Sequence, residues 1–275
     1  MEHRFDPGYA AEPFATLCRD YPGPEVYPPG DFRVEWGPIF HRGRLDGSAR
    51  LLVLGQDPSA HESIARRILV GEAGQRVQGF LAKLGIVSSY VMVNAFLYSV
   101  YGQQSGERYA ADTAIAAYRD RWLDALLDGT GVEAVVAFGH LADRAFRMWR
   151  ATPSGQRYDG AYATVTHPTY PESTSHRDEA KHDQAIAAML QDWNRALERL
   201  SGRIRRPDQV VPLVPYGQRF ALGERLPIPE GDLPAGLPSW MGALDNWADR
   251  TGPTPDEKRA SILVSVPRSA RTWQS

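Results

Sequence analysis

Apolar and polar positions alternate along this chain in blocks of two kinds. Short apolar runs occur at residues 51–54 (LLVL), 90–93 (YVMV), 133–138 (EAVVAF) and 162–165 (YATV). Each is too short for a helix, rich in Val, Leu or aromatics, and ends in a polar or glycine-containing turn, which predicts buried strands. Between them the apolar residues recur at helical spacing. Residues 75–84 (QRVQGFLAKL), 111–127, 141–149 and 178–200 are predicted helices, with Ile115, Tyr118, Trp122 and Leu126 near one face of the second and Ile186, Met189, Trp193 and Leu197 on one side of the last. A short helix is expected at about residues 12–19.

Strands that alternate with helices specify a parallel sheet covered on both faces. The expected fold is therefore a three-layer α/β/α sandwich with a central parallel sheet of about four strands. After residue 200 the texture changes: residues 207–238 hold seven prolines and little periodicity. In this stretch 209–214 is a candidate strand, SWMGALDNWADR a candidate short helix, and 262–267 (ILVSVP) a late strand or extended arm. The expected organisation is one α/β/α domain over residues 1–200 and a proline-rich extension, 201–275, packed on it.

In open parallel sheets the ligand crevice lies beyond the carboxyl ends of the strands. Asp57, Asn94, His140 and His167 all follow such ends. Each also has an ordinary structural use. Asp57 in Gly55-Gln56-Asp57-Pro58 can cap a turn, Asn94 can tie down a loop, His167 in VTHPTYPES can satisfy a turn, and His140 can open a helix. The turn Gly71-Glu72-Ala73-Gly74 can hold an anion at a helix N-terminus, or it is a plain helix entry.

Bulk properties narrow the chemistry. The net charge is −2, so the whole chain does not advertise a nucleic-acid partner, although a local basic stripe is sufficient for one. Candidates are Arg66 with Arg67, and residues 195–206, which hold five arginines. One cysteine, Cys18, excludes an internal disulfide and a cysteine-ligated cluster. The seven histidines form no ligand pattern, and no metal or other cofactor is expected. No apolar run approaches the ~20 residues of a membrane helix, and MEHRFDPGYAAEPF has no signal-peptide core. A cytoplasmic protein without membrane contact is expected.

Read in order, LLVLGQDP, ILVGEAGQRVQGFLAKLGI, VMVNAF and VTHPTYPES resemble the motifs of the uracil-DNA glycosylase superfamily, and AVVAFGHLADRAF resembles the strand–glycine–helix unit between the last two. The resemblance covers roughly residues 51–200 and is mixed. GQDP and the Asn94 strand look like the classical uracil-excising branch. LVGEAG looks like the thermophile-type branch, whose iron–sulfur cluster a single cysteine cannot support. In the first branch a Tyr follows GQDP, where this chain has Ser59. In the second a Phe precedes VG, where this chain has Leu69. Tyr98 and Tyr101 are other candidates for a ring against the base.

The resemblance implies a monomeric DNA-repair hydrolase that flips uracil out of DNA, cleaves its N-glycosidic bond and releases free uracil. Asp57 would orient the attacking water and steady the cationic sugar, and His167 would donate to uracil O2. Gln56, Asn94, Leu69 and Ser59 would surround the base. In the loop after His167, Ser173 and Ser175 would bind phosphate, while Tyr170 and Arg177 would fill the vacated stack. Competing expectations are a glycosylase for other deaminated or mismatched bases, a binder of uracil-containing or abasic DNA without turnover, and an unrelated α/β hydrolase.

Overall fold

A computed structural model of the chain describes residues 9–175 and 178–271. In chain order the strands are β1 (Arg42–Gly43), β2 (Leu51–Gly55), β3 (Tyr90–Asn94), β4 (Ala134–Phe138), β5 (Ala161–Val165), β6 (Ala248–Arg250) and β7 (Ile262–Val264). The helices are α1 (Phe14–Arg19), α2 (Ala60–Ala65), α3 (Glu72–Lys83), α4 (Gly102–Tyr109), α5 (Thr113–Leu127), α6 (His140–Arg150), α7 (Pro153–Arg157), α8 (Tyr170–Ser175), α9 (Glu179–Leu200), α10 (Trp240–Ala243) and α11 (Pro255–Ala260).

The central sheet runs β1-β3-β2-β4-β5. Its last four strands are parallel, as expected, and β1 is an antiparallel edge that the sequence pattern did not reveal. A two-residue strand is too short to show period-two alternation. The parallel strands pack on both faces because successive side chains point to opposite sides. Leu52, Leu54, Val91, Val93, Val135 and Ala137 face a core shared with α1, α5 and α6. Leu51, Val53, Met92, Val136, Phe138 and Val165 face α3 and α9. On that side the fully buried Trp193 ring lies edge-on to Phe80 and Phe138, with centroids 5.6 and 5.4 Å away.

Caps place the two long helices. Asp112 accepts from the N–H groups of Ala114 and Ile115 at 2.9 and 3.0 Å, opening α5. Asp178 accepts from Lys181 N–H at 3.1 Å, opening α9. Each satisfies donors that the first helical turn leaves orphaned.

The late segments depart from their sequence reading in part. No strand forms at 209–214. Pro212 and Pro215 remove ladder donors, Val210 and Val214 face solvent, and the segment is anchored by Asp208, which accepts from the N–H groups of Val87, Ser88 and Ser89 at 2.7, 2.6 and 2.9 Å. The SWMGALDNWADR stretch divides into the single turn α10 and strand β6, and β6 pairs antiparallel with β7. Trp247, Met241, Leu233 and Ile228 form a small core with Ala65 and Val70. No described helix is long and apolar enough to cross a membrane.

Candidate active site

Register brings the predicted residues to one edge. Gly55 pairs with Asn94, and Phe138 pairs with Val165, so β2 to β5 end together. Strands sit about 4.8 Å apart, which spreads Asn94, Asp57, His140 and His167 across one rim. The pairing continues past β2: Ala95 and Phe96 N–H donate to the carbonyls of Gly55 and Gln56, both at 2.9 Å. Ser99 Oγ donates to the Pro58 carbonyl at 2.6 Å. The Gly55–Ser59 turn is thus zipped to residues 94–100.

Asp57 is held in that zipper. Val100 N–H donates to its Oδ2 at 3.0 Å. Burial pushes the carboxyl up to about 6, against which the Val100 bond and the nearby Arg33 and Arg250 charges act. The residue keeps some exposed area, and at neutral pH it is ionised.

Asn94 is buried and its amide lies over Gly55. A Cβ at Gly55 would stand 2.2 Å from Asn94 Oδ1, so only glycine leaves room there. Leu69 Cδ1 is 3.9 Å from the same point, so Leu69 and Asn94 share one surface. Asn94 Nδ2 is buried and has no hydrogen-bond partner among the described residues. Gly55→Ala is therefore expected to push the amide aside and weaken activity at this rim at least tenfold; a rate within twofold of the parent would remove Gly55 from the account.

His167 follows β5 in a turn pinned from three sides. Thr166 N–H and Oγ1 donate to Asp192 at 2.7 and 2.9 Å, Trp193 Nε1 donates to the Thr166 carbonyl at 2.9 Å, and Arg76 donates to the Pro168 carbonyl. Desolvation pushes the imidazole down to about 4, so it is neutral at pH 7. Thr169 N–H donates to Nδ1 at 3.3 Å, which leaves the ring proton on Nε2.

His167, Gln56, His140, Thr166, Tyr170 and Ser173 line one cleft of about 470 Å³. Asp57, Asn94 and Leu69 are not on its wall. Asn94 and Leu69 form a second group over Gly55, Asp57 follows two residues on, and Gln56 stands between Gly55 and Asp57 while lining the cleft. Gln56 Oε1 accepts from Leu141 N–H at 3.2 Å, and a Cβ at Gly139, where φ is +95°, would lie 2.6 Å from that oxygen.

Several expectations change. Ser59 opens α2 in a capping box with Glu62 and is exposed, so it is engaged by the helix. Ser175 is buried, away from the surface that carries Ser173 and Tyr170. Arg177 lies outside the described residues. Tyr98 is buried and donates to the Pro22 carbonyl at 2.9 Å, a core role. Tyr101 lies beneath the Arg33 guanidinium, 3.9 Å from its ring centroid, and is not a free platform. The entry to α3 is not an open anion site, because the Asp245 carbonyl accepts from Glu72 N–H at 3.0 Å. Arg66 donates to the carbonyls of Trp36 and Pro38, both at 2.6 Å. Arg203, Arg205 and Arg206 line a cleft of about 620 Å³, with Arg50 and Glu133 at the amino ends of the strands, opposite the candidate site.

Glu62 was not singled out from the sequence, although its spacing from Ser59 is a capping-box signal. The buried carboxylate accepts from the N–H groups of Ser59 and Leu69. It thereby ties the Asp57 turn to Leu69, whose φ of +52° is costly for a branched side chain. Burial pushes Glu62 up to about 7.

A three-layer sandwich with ionisable and amide side chains at the carboxyl rim of its parallel strands has the arrangement in which open α/β folds bind their ligands. A family model described as the Uracil DNA glycosylase superfamily matches residues 42–226, and the chain belongs to that superfamily. Its class is accordingly a glycosylase that hydrolyses N-glycosyl bonds in DNA repair. No curated protein matches the chain. Among the described residues no three His, Cys, Asp or Glu side chains converge as a metal site requires.

Proposed function

We propose that this protein is a monomeric glycosylase that excises uracil from DNA. The observation that carries this reading is the geometry at one strand rim: Asp57 is held by Val100 N–H, and His167 Nδ1 accepts from Thr169 N–H, which leaves Nε2–H to donate. Burial raises the Asp57 carboxyl only to about 6 and lowers His167 to about 4, which agrees with a charged base and a neutral donor.

The target bond is buried in a duplex, so the nucleotide is flipped into the site. The C1′–N1 bond breaks heterolytically. Its electron pair leaves with the base, and negative charge collects on uracil O2 as the sugar becomes an oxocarbenium ion. Asp57 faces that cation and orients water for attack at C1′, accepting its proton. His167 Nε2–H donates to O2. A neutral donor does this without the cost of burying a second full charge, and one such preorganised bond is worth about 10²–10³ in rate. Asn94 Nδ2 donates to O4 and Oδ1 accepts from N3–H. Cytosine presents the reverse pattern and leaves the buried amide unpaired, which is costly. Gln56 and Leu69 complete the walls around the base, and Tyr170 and Ser173 flank the cleft where DNA enters.

The test is release of free uracil from a deoxyuridine duplex in the presence of a chelator. His167→Ala is expected to slow release by about 10²–10³-fold with the fold intact; a rate within threefold of the parent would overturn the assignment. A wider base range follows from Ser59: its commitment to the α2 cap leaves no bulky side chain there against a 5-methyl group. Oligonucleotides carrying hypoxanthine, xanthine or mismatched thymine separate strict uracil excision from broader excision.

A further inference from the structure

Beside Asp57 stands a cationic pair that no part of the reaction above uses. Arg33 precedes the residues that pack on the 94–100 loop, and its N–H donates to the Ser99 carbonyl at 2.9 Å. Its guanidinium carbon lies over the Tyr101 ring, 3.9 Å from the centroid. Arg250 comes from the far end of the chain, at the end of β6. Its Nη2 donates to Ser63 Oγ at 3.2 Å, and its guanidinium lies 5.7 Å from the Trp36 ring centroid. The nearby Arg259 is already engaged, pairing with Glu35 at 3.3 Å and donating to the Pro29 carbonyl.

Arg33 and Arg250 differ from Arg259 in that respect. Among the described residues neither forms an ion pair, and Arg33 Nε, Arg33 Nη1 and Arg250 Nη1 are buried without a hydrogen-bond partner. Both residues are half-buried. The two charges act on each other and on Asp57: burial, then the Arg33 charge, pushes Arg250 down to about 10. Asp57 and Glu35 offset part of the charge on Arg250, but two like charges with unfilled donors still favour a further anion. Planar guanidinium forks match the oxygens of a phosphate. The anion at hand, beside a carboxylate that faces the sugar, is the DNA backbone.

We propose that Arg33 and the β6–β7 hairpin residue Arg250 together clamp a phosphodiester flanking the flipped nucleotide, which makes the C-terminal hairpin part of the DNA-binding face. This rests on the glycosylase reading above. It explains why a segment outside the family match of residues 42–226 packs against α2, the helix that follows the Asp57 turn.

The test is binding of the full-length protein to a duplex whose 2′-fluorodeoxyuridine resists cleavage, measured across salt concentrations. Arg33→Ala and Arg250→Ala are each expected to weaken binding about tenfold and to reduce the salt slope by about 1, as loss of one phosphate contact does. Arg250→Lys should restore the slope, which a merely bracing role would not require. Alanine variants with parental affinity and slope overturn the clamp, and with base release intact that outcome leaves the glycosylase reading standing. No base release by the parent protein from any damaged duplex overturns the glycosylase reading instead. Melting in inorganic phosphate against chloride at equal ionic strength separates the source of the anion. Stabilisation by phosphate that the double alanine variant loses, with DNA affinity and salt slope unchanged in that variant, assigns the site to the free ion and overturns the DNA clamp.

Discussion

Asp57→Asn is expected to lower base release by roughly 10²–10⁴-fold, the range for removal of a positioned general base, and at the same time to raise the melting temperature at pH 7–8. The two effects share one cause. Burial raises the folded-state carboxyl from its ordinary 3.8 to about 6. Between those values the folded protein keeps a proton that the unfolded chain releases. The stability Asp57 contributes therefore falls as pH rises through that window, and the penalty is complete above it. Asparagine carries no charge to desolvate and can still accept from Val100. Allowing for the exposed part of Asp57, the gain is on the order of 1–2 kcal/mol, or roughly 2–8 °C. The difference in melting temperature should shrink on acidification from pH 7 to pH 4. Base release by the parent should fall as pH drops below about 6, where Asp57 takes up a proton. Rapid release by the variant, or a variant less stable at pH 8, would show that this carboxylate is not the strained catalytic group.

The second large effect concerns the sheet edge. Asp232→Ala is expected to cost about 3–5 kcal/mol, the range for breaking a buried ion pair by removing one partner. Arg42 and Asp232 are fully buried, and Arg42 Nη1 lies 2.8 Å from Asp232 Oδ2. Tyr90 also donates to Asp232. Arg42 meanwhile donates to the Ile68 carbonyl at 2.9 Å and to Gln78 Oε1 at 3.0 Å. Loss of the carboxylate leaves a guanidinium charge sealed in the interior. Because Ile68 precedes Leu69, disturbance of Arg42 reaches the surface shared with Asn94. Urea unfolding measures the cost. Replacing both partners, as Arg42→Met with Asp232→Leu, should recover much of it, since no lone charge is then buried. A loss below 1 kcal/mol in the single variant would show that water reaches the pair.

The longer helices and the four parallel strands are legible in the chain because their signals are local. A run such as LLVL ending at Gly55 states both a buried strand and its end. The rim positions of Asp57, Asn94 and His167 follow from the same runs, since a residue just past a parallel strand must emerge at the carboxyl edge. Motif order adds the superfamily. Harder to see were β1, too short for a period, and α2, α4, α7, α8 and α11, each eight residues or fewer and held by caps and tertiary contacts more than by an amphipathic stripe. The valines of 209–214 imitate a strand, but Pro212 and Pro215 remove ladder donors and leave them irregular.

Residue order along the chain therefore settled the layered architecture and which polar groups reach its rim, because hydrophobic period and turn chemistry act over a few residues. Folding in three dimensions settled the rest: the charge states of Asp57 and His167, the bracing of Leu69 by Glu62, the burial of Arg42 with Asp232, and the meeting of Arg33 with Arg250. Desolvation and pairing depend on what packs nearby, and those neighbours come from parts of the chain too distant to leave any local pattern.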